Sequence, residues 1–75
     1  MKEVNQEYKN IEIYNYVNDD GRLKTIIFEK EEEDKYSFVL FLREFVRPIF
    51  CGRGYVTEEK KQEWINRYKA EKQEE

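Results

Sequence analysis

The chain has 75 residues, of which 41% are charged and 39% hydrophobic, and its formal net charge is −3. This length predicts a single small domain over residues 1–75. The chain has no histidine and only one cysteine, which excludes histidine-based catalytic triads, most zinc sites and an internal disulfide. Because so short a chain leaves little volume for both a core and a cleft, we expect no enzymatic activity, no metal and no cofactor.

The sequence predicts neither a membrane span nor an export signal. The longest apolar run, residues 38–42, is far shorter than the roughly 20 residues that a membrane-crossing helix needs. Residues 1–7 are too polar for a signal peptide. The aromatic content of 16% favours a folded chain over a disordered one. We therefore expect a soluble, cytoplasmic protein that makes no membrane contact.

The first predicted element is an antiparallel β-hairpin over about residues 10–30. Residues 11–17 alternate with the two-residue period of a strand, and residues 23–28 resume the same composition. Between them, Asp20-Gly21 favours a tight turn, because glycine adopts positive φ without steric cost. The aromatic residues of this hairpin either cover the core or form a stacking platform for single-stranded nucleic acid, and their acidic neighbours favour the core. These residues are Tyr14, Tyr16 and Phe28.

Acidic residues crowd the predicted turn and the segment that follows the hairpin. The acids we select as candidate partner-binding residues are Asp19, Asp20, Glu31, Glu32, Glu33 and Asp34. A run of this kind is typical of a solvated loop between two ordered elements. The functional alternative is phosphate mimicry, in which these carboxylates occupy the basic surface of a larger protein.

The segment over about residues 35–47 is compatible with two structures. At 100° per residue its apolar side chains gather on one side, as in an amphipathic helix. Residues 36–42 are also rich in β-formers and would make a third, buried strand. We predict the helix, because the periodic stretch is longer than a usual strand. Pro48 marks its end, since proline disfavours helical geometry at the residue before it.

Residues 43–53 carry a net charge of +2 in an otherwise acidic chain, and their basic groups are Arg43, Arg47 and Arg53. Arginine donates well to paired carboxylate or phosphate oxygens, so these three residues are the alternative, anion-binding site. If these arginines do not bind an anion, we expect them to form ion pairs with neighbouring acidic residues. Cys51 is either a buried cysteine or a thiol made reactive by Arg53, and we favour the buried interpretation.

A second helix is predicted over about residues 58–70. Thr57 supplies a capping hydroxyl, and the acids that follow it suit the positive end of the helix dipole. Trp64, Ile65 and Tyr68 form a narrow apolar stripe, which we expect to anchor the helix to the core and which would be an interface if exposed. Residues 70–75 have no apolar face and are predicted to be a frayed tail.

Together these elements predict an α+β fold, with a hairpin at about 10–30 followed by helices at about 35–47 and 58–70. The alternative is a three-stranded antiparallel sheet with a C-terminal helix. Both arrangements are compatible with a single small domain.

The function that composition favours is that of a small acidic protein-binding module, which occupies a basic, nucleic-acid-binding surface of a larger protein. By analogy, inhibitors of this kind are common among phages and mobile elements. The alternative is a small nucleic-acid-binding protein that uses the three arginines and aromatic residues, although the net charge opposes its approach to nucleic acid. A homo-oligomeric role ranks third.

Overall fold

The computed structural model describes residues 10–73, which form an antiparallel sheet with one helix packed on it. The strands are β1 (Ile11–Val17), β2 (Leu23–Glu32), β3 (Lys35–Arg43), β4 (Pro48–Val56) and β5 (Glu71–Lys72), and the helix α1 is Glu58–Tyr68. The order across the sheet is β4-β3-β2-β1-β5. The first four strands therefore form a meander, and the end of the chain returns to pair with β1. No helix within residues 10–73 is long and apolar enough to cross a membrane.

The predicted fold of a hairpin followed by two helices is wrong. Residues 35–43 form β3 and residues 44–47 form the loop between β3 and β4, so the helix predicted at 35–47 does not exist. The alternative, a sheet with a C-terminal helix, fits better, although the sheet has five strands. The predicted tail at 70–75 includes β5, and residues 74 and 75 lie outside the described residues.

β3 is a strand because it lies between β2 and β4 and pairs with both along its length. Its even-numbered residues, from Tyr36 to Leu42, point to the face that carries α1. On the opposite face, Val39 and Phe41 are half-buried. A strand that is apolar on both faces has a nearly continuous run of apolar residues, and its sequence pattern does not distinguish it from a buried helix.

β4 contains two glycines and a bulge, which depart from an ordinary strand sequence. A Cβ atom at Gly54 would come within 3.1 Å of the Phe38 ring, so the absence of a side chain lets this ring lie against the strand. The pairing with β3 also shifts by one residue, which leaves Cys51 as the extra residue of the bulge.

The core lies between α1 and one face of the sheet. The buried residues are Tyr14, Tyr16, Ile26, Phe28 and Tyr36. Trp64 packs against this cluster, and its ring meets those of Phe28 and Phe38 edge-on at centroid distances of 6.4 and 5.3 Å. The aromatic residues of the predicted hairpin are therefore core residues and are not exposed for base stacking.

Both ends of α1 are fixed by local contacts. The Thr57 hydroxyl accepts a hydrogen bond from the Lys60 backbone N–H at 3.2 Å, and Asp34 Oδ1 accepts one from the Glu58 N–H at 3.0 Å. At the other end, Lys69 adopts a left-handed conformation with φ of 51°. This turn reverses the chain and delivers β5 to the edge of β1.

Candidate interaction surface

The face of the sheet opposite α1, here called the open face, carries an apolar strip. Two rows of paired residues cross it, one running Ile13–Ile27–Val39–Arg53 and the other Asn15–Thr25–Phe41–Phe50. The aliphatic residues of the first row and Phe41 in the second are half-buried. No other helix or strand of the described chain lies on this face. Within residues 10–73, one apolar surface of the sheet is therefore covered by the helix and the other is not.

The large exposed apolar side chains lie on the open face or on the β3–β4 hairpin. Phe45 and Val46, in the β3–β4 loop, are 103% and 86% exposed. The others in the described chain are Val17, Leu23, Ile49, Phe50 and Tyr55. Val17 and Leu23 flank the turn at the same end of the sheet as the β3–β4 loop, so apolar exposure is concentrated at this end.

The three arginines lie on this side of the molecule but do not form one cluster. Arg43 and Arg47 line a shallow concavity beside the β3–β4 loop, and Arg43 Nη1 donates to the Thr25 hydroxyl at 3.3 Å. Arg53 pairs across the sheet with Val39, which is four residues, or about 13 Å, from Arg43 along β3. None of the three forms an ion pair with another residue of the described chain.

The six candidate acids form two separate groups. Asp19 and Asp20 lie in the β1–β2 turn, whereas the acids from Glu31 to Asp34 lie around the β2–β3 turn. The ten residues of β2 separate the two turns by roughly 30 Å. The structure therefore does not bring the predicted acidic set together on one surface.

Most of these acids already have partners within the domain. The Asp19 carboxylate lies 3.8 Å from the Arg67 guanidinium, and Asp20 accepts a hydrogen bond from the Arg22 backbone N–H. Glu31 accepts a hydrogen bond from the Ser37 hydroxyl, and Asp34 accepts one from the Glu58 backbone N–H. Glu32 and Glu33 make no side-chain hydrogen bond or ion pair with the described residues. Within the described chain, this turn thus presents two carboxylates without partners rather than an extended array.

Cys51 is exposed, so the interpretation of this residue as a buried cysteine is wrong. Its thiol sulfur lies 3.6 Å from the Ile49 carbonyl oxygen. The exposure follows from the bulge, since Cys51 has no opposite residue on β3 and β4 is the outer strand of the sheet.

Sequence reasoning missed a buried ion pair beneath α1. The Lys61 side chain is 3% exposed, and its ammonium nitrogen lies 3.0 and 3.2 Å from the two carboxylate oxygens of Glu12. The same nitrogen lies 4.4 Å from the centroid of the Tyr36 ring, and the Tyr14 hydroxyl donates to Glu12 Oε1 at 2.7 Å. A signal was present in the sequence, because Lys61 falls one turn before Trp64 on the apolar stripe of the helix.

Burial and hydrogen bonding shift the pKa values of Glu12, Tyr14 and Tyr36 in this cluster. Burial alone would raise the pKa of Glu12, but hydrogen bonds from Tyr14 and Lys61 outweigh it and hold that pKa below its usual 4.5. Burial and the Glu12 carboxylate raise the pKa of Tyr14. The Glu58 carboxylate, assisted by burial, raises the pKa of Tyr36 to about 12. The Lys61–Glu12 pair joins α1 to β1 and is thus a structural contact between the helix and the sheet.

Within residues 10–73 no group of three or more histidine, cysteine, aspartate or glutamate side chains is arranged to hold a metal ion. No protein-family model, curated protein or solved structure matches this chain. The open face, with its exposed apolar side chains and its arginines, is therefore the feature from which a function is inferred.

Proposed function

We propose that this protein is a small protein-binding module that contacts its partner through the open face and the β3–β4 loop. The observation that carries the proposal is the placement of the large exposed apolar side chains of the described chain, which lie on this face or on the β3–β4 hairpin. Contiguous exposed apolar surface on a small domain marks a site of interaction. A sheet with one uncovered apolar face gains stability when a second layer covers it.

The side chains at this surface indicate the chemistry of the partner. Phe45 projects fully into solvent, and a phenylalanine of this kind fits a pocket on a partner as an anchor residue. Arg43, Arg47 and Arg53 have no ion-pair partner among the described residues, and arginine is enriched at protein interfaces. A partner with an apolar patch flanked by carboxylates complements both features.

Occupation of a basic partner by the acidic residues has weaker support. Of the six candidate acids, only Glu32 and Glu33 remain without partners within the described chain, and they are adjacent in one turn. Two exposed carboxylates attract a basic surface only weakly, because water and salt screen them. We therefore assign the acidic β2–β3 turn a minor role in binding.

Nucleic-acid binding is the second candidate function, and one observation favours it. Arg53 and the exposed rings of Phe50 and Tyr55 lie on the same strand, and single-stranded nucleic acid binds where aromatic faces adjoin basic groups. The net charge of −3 opposes it, since the overall field repels phosphate. This candidate is tested in the same experiment.

The test is quantitative affinity capture from a lysate of the source cells, with and without nuclease. The loop variant Phe45→Asp/Val46→Asp removes the most exposed apolar side chains, and neither substitution disturbs the core because both residues lie in solvent. The matched control is Glu32→Gln/Glu33→Gln, which changes two exposed residues of the other turn. We expect the affinity of the loop variant for its partner to fall by about thirtyfold, which corresponds to the roughly 2 kcal/mol that an anchor residue contributes to binding. The control should retain it.

Two results would contradict the proposal. If the control variant loses the partner and the loop variant keeps it, binding uses the acidic turn. If nuclease abolishes capture, and substitution of Arg43 and Arg53 by glutamine does the same, the ligand is nucleic acid. Circular dichroism of each variant verifies that the fold is retained.

A further inference from the structure

The two edges of the sheet differ in length and charge. At one edge lies β5, whose only residues are Glu71 and Lys72. At the other lies β4, which is nine residues long and has Arg53 as its single charged residue. Short, charged edge strands resist pairing with another chain, whereas long, nearly neutral strands favour it.

The outer side of β4 has no strand beside it in the described chain. Within residues 10–73, β4 pairs with β3 alone, and the backbone hydrogen bonds of the turns and loops do not involve it. Pro48, which lacks an N–H group, is only its first residue. Beyond the bulge at Cys51, the residues from Gly52 to Val56 pair regularly with β3. This regular stretch can accept a further strand on its outer side.

We propose that residues 52–56 of two copies of this chain pair antiparallel about a two-fold axis at Gly54, which joins their sheets into one. We propose a second copy of the chain as the partner strand, because residues 52–56 are complementary to themselves in this arrangement. In this register Arg53 of each copy lies opposite Tyr55 of the partner subunit. Both side chains are exposed on the open face, and a guanidinium against a tyrosine ring is an attractive pair.

Three other symmetric registers, with axes at Arg53, Cys51 or Gly52, lack this complementarity. An axis at Arg53 would place two like charges directly opposite each other, which is destabilising. An axis at Cys51 or Gly52 would bring the bulge into the pairing. Within one copy the Lys35 ammonium lies 4.6 Å from the centroid of the Tyr55 ring, so the guanidinium of the partner subunit would contact the other face of that ring.

The pairing goes beyond the proposed binding function, because it uses the sheet edge and leaves the open face uncovered. A two-fold axis that relates antiparallel strands of one sheet runs perpendicular to that sheet. The open faces of both copies consequently lie on the same side of the joined sheet. The dimer would present two binding surfaces side by side, which favours a partner with two copies of its own site.

The first test is sedimentation equilibrium of the full chain over the micromolar range, where we expect a mass of twice 9.3 kDa. Tyr55→Lys places a cation opposite Arg53 of the partner subunit and should weaken the dimer at least tenfold. The double variant Arg53→Glu/Tyr55→Lys places opposite charges across the axis and should restore it. Phe45→Asp is the control and should leave the dimer unchanged, because Phe45 lies outside the pairing.

The second test measures the distance between two copies labelled with a nitroxide at Cys51, the only cysteine of the chain. The proposed axis lies three residues from Cys51, so the two labelled backbone positions should be roughly 20 Å apart. A monomer at all concentrations, a double variant that stays monomeric, or a distance below about 10 Å would overturn the proposal. A dimer that Phe45→Asp disrupts and Tyr55→Lys does not would also overturn it, since that dimer would use the open face.

Discussion

The face of the sheet under α1 and the open face are built from alternate residues of the same strands. Under the helix, Ile26 and Phe28 are 1% and 0% exposed, whereas Ile27, which lies between them, is half-buried on the open face. On the covered face, Lys61 and Glu12 form an ion pair with each other, while the arginines of the open face have no ion-pair partner in the described chain. One face thus supplies stability, and the other, through which we propose that a partner binds, keeps apolar and charged groups that are exposed in the described chain.

The largest expected effect is a difference between two phenylalanines on opposite faces. Phe28→Ala should destabilise the domain by about 3–5 kcal/mol, because it leaves a cavity in a fully buried site. Phe41→Ala should cost less than half of that, since Phe41 is half-buried on the open face. Urea unfolding of both variants measures the difference. Equal losses would mean that the open face also stabilises the fold.

The buried ion pair should respond unequally to removal of its two partners. Glu12→Gln should destabilise by about 3 kcal/mol, because it leaves the Lys61 ammonium buried without a counter-charge. Lys61→Met should cost about 1 kcal/mol, since Glu12 is partly exposed and keeps its hydrogen bond from Tyr14. In urea unfolding the double variant should be more stable than Glu12→Gln alone, and a simple addition of the two losses would contradict this account.

The same pair predicts a dependence of stability on pH. The pKa of Glu12 is lower in the folded chain than its usual 4.5, so the folded state binds fewer protons at this site than the unfolded state. Its contribution to stability is present above pH 4.5 and is lost as the pH falls through the folded pKa. The free energy of unfolding should therefore fall more steeply in acid for the wild type than for the double variant Glu12→Gln/Lys61→Met.

A smaller effect is expected at the start of α1. Thr57→Ala removes the hydroxyl that accepts from the Lys60 N–H and should cost about 1 kcal/mol. Thr57→Ser keeps an oxygen at this position and serves as the control. Because this cap supports the covered face alone, thermal unfolding should change while partner binding by the folded protein does not. A loss of binding at temperatures where the variant is folded would connect the helix to the proposed binding surface.

The parts of the fold with a clear local pattern were predictable from the sequence, and the parts that depend on pairing were not. The alternation of residues 11–17 and the cap at Thr57 each have one structural interpretation. Residues 35–43 consist largely of leucine, phenylalanine and other side chains that suit either a helix or a buried strand. Pairing with β2 and β4 decides the outcome, and such contacts between distant residues leave no local signal.

β4 escaped prediction because its glycines indicate a flexible turn when they are considered alone. Gly54 serves the strand by making room for the Phe38 ring, a requirement that only tertiary packing creates. The candidate site was also predictable only in part. The arginines were identified from their clustering in the sequence. The separation of the acids into two groups was not predictable, because it follows from the length of β2, which extends beyond the predicted hairpin.

Trp64 makes the covered face visible to fluorescence. It is the only tryptophan of the chain, it lies between α1 and the sheet, and its indole nitrogen is buried without a hydrogen-bond partner in the described residues. Its emission should therefore be blue-shifted in the folded protein and should move to the red when α1 separates from the sheet. A ligand on the open face would leave this emission nearly unchanged, so the protein carries an intrinsic optical probe that separates loss of folding from occupation of the proposed binding surface.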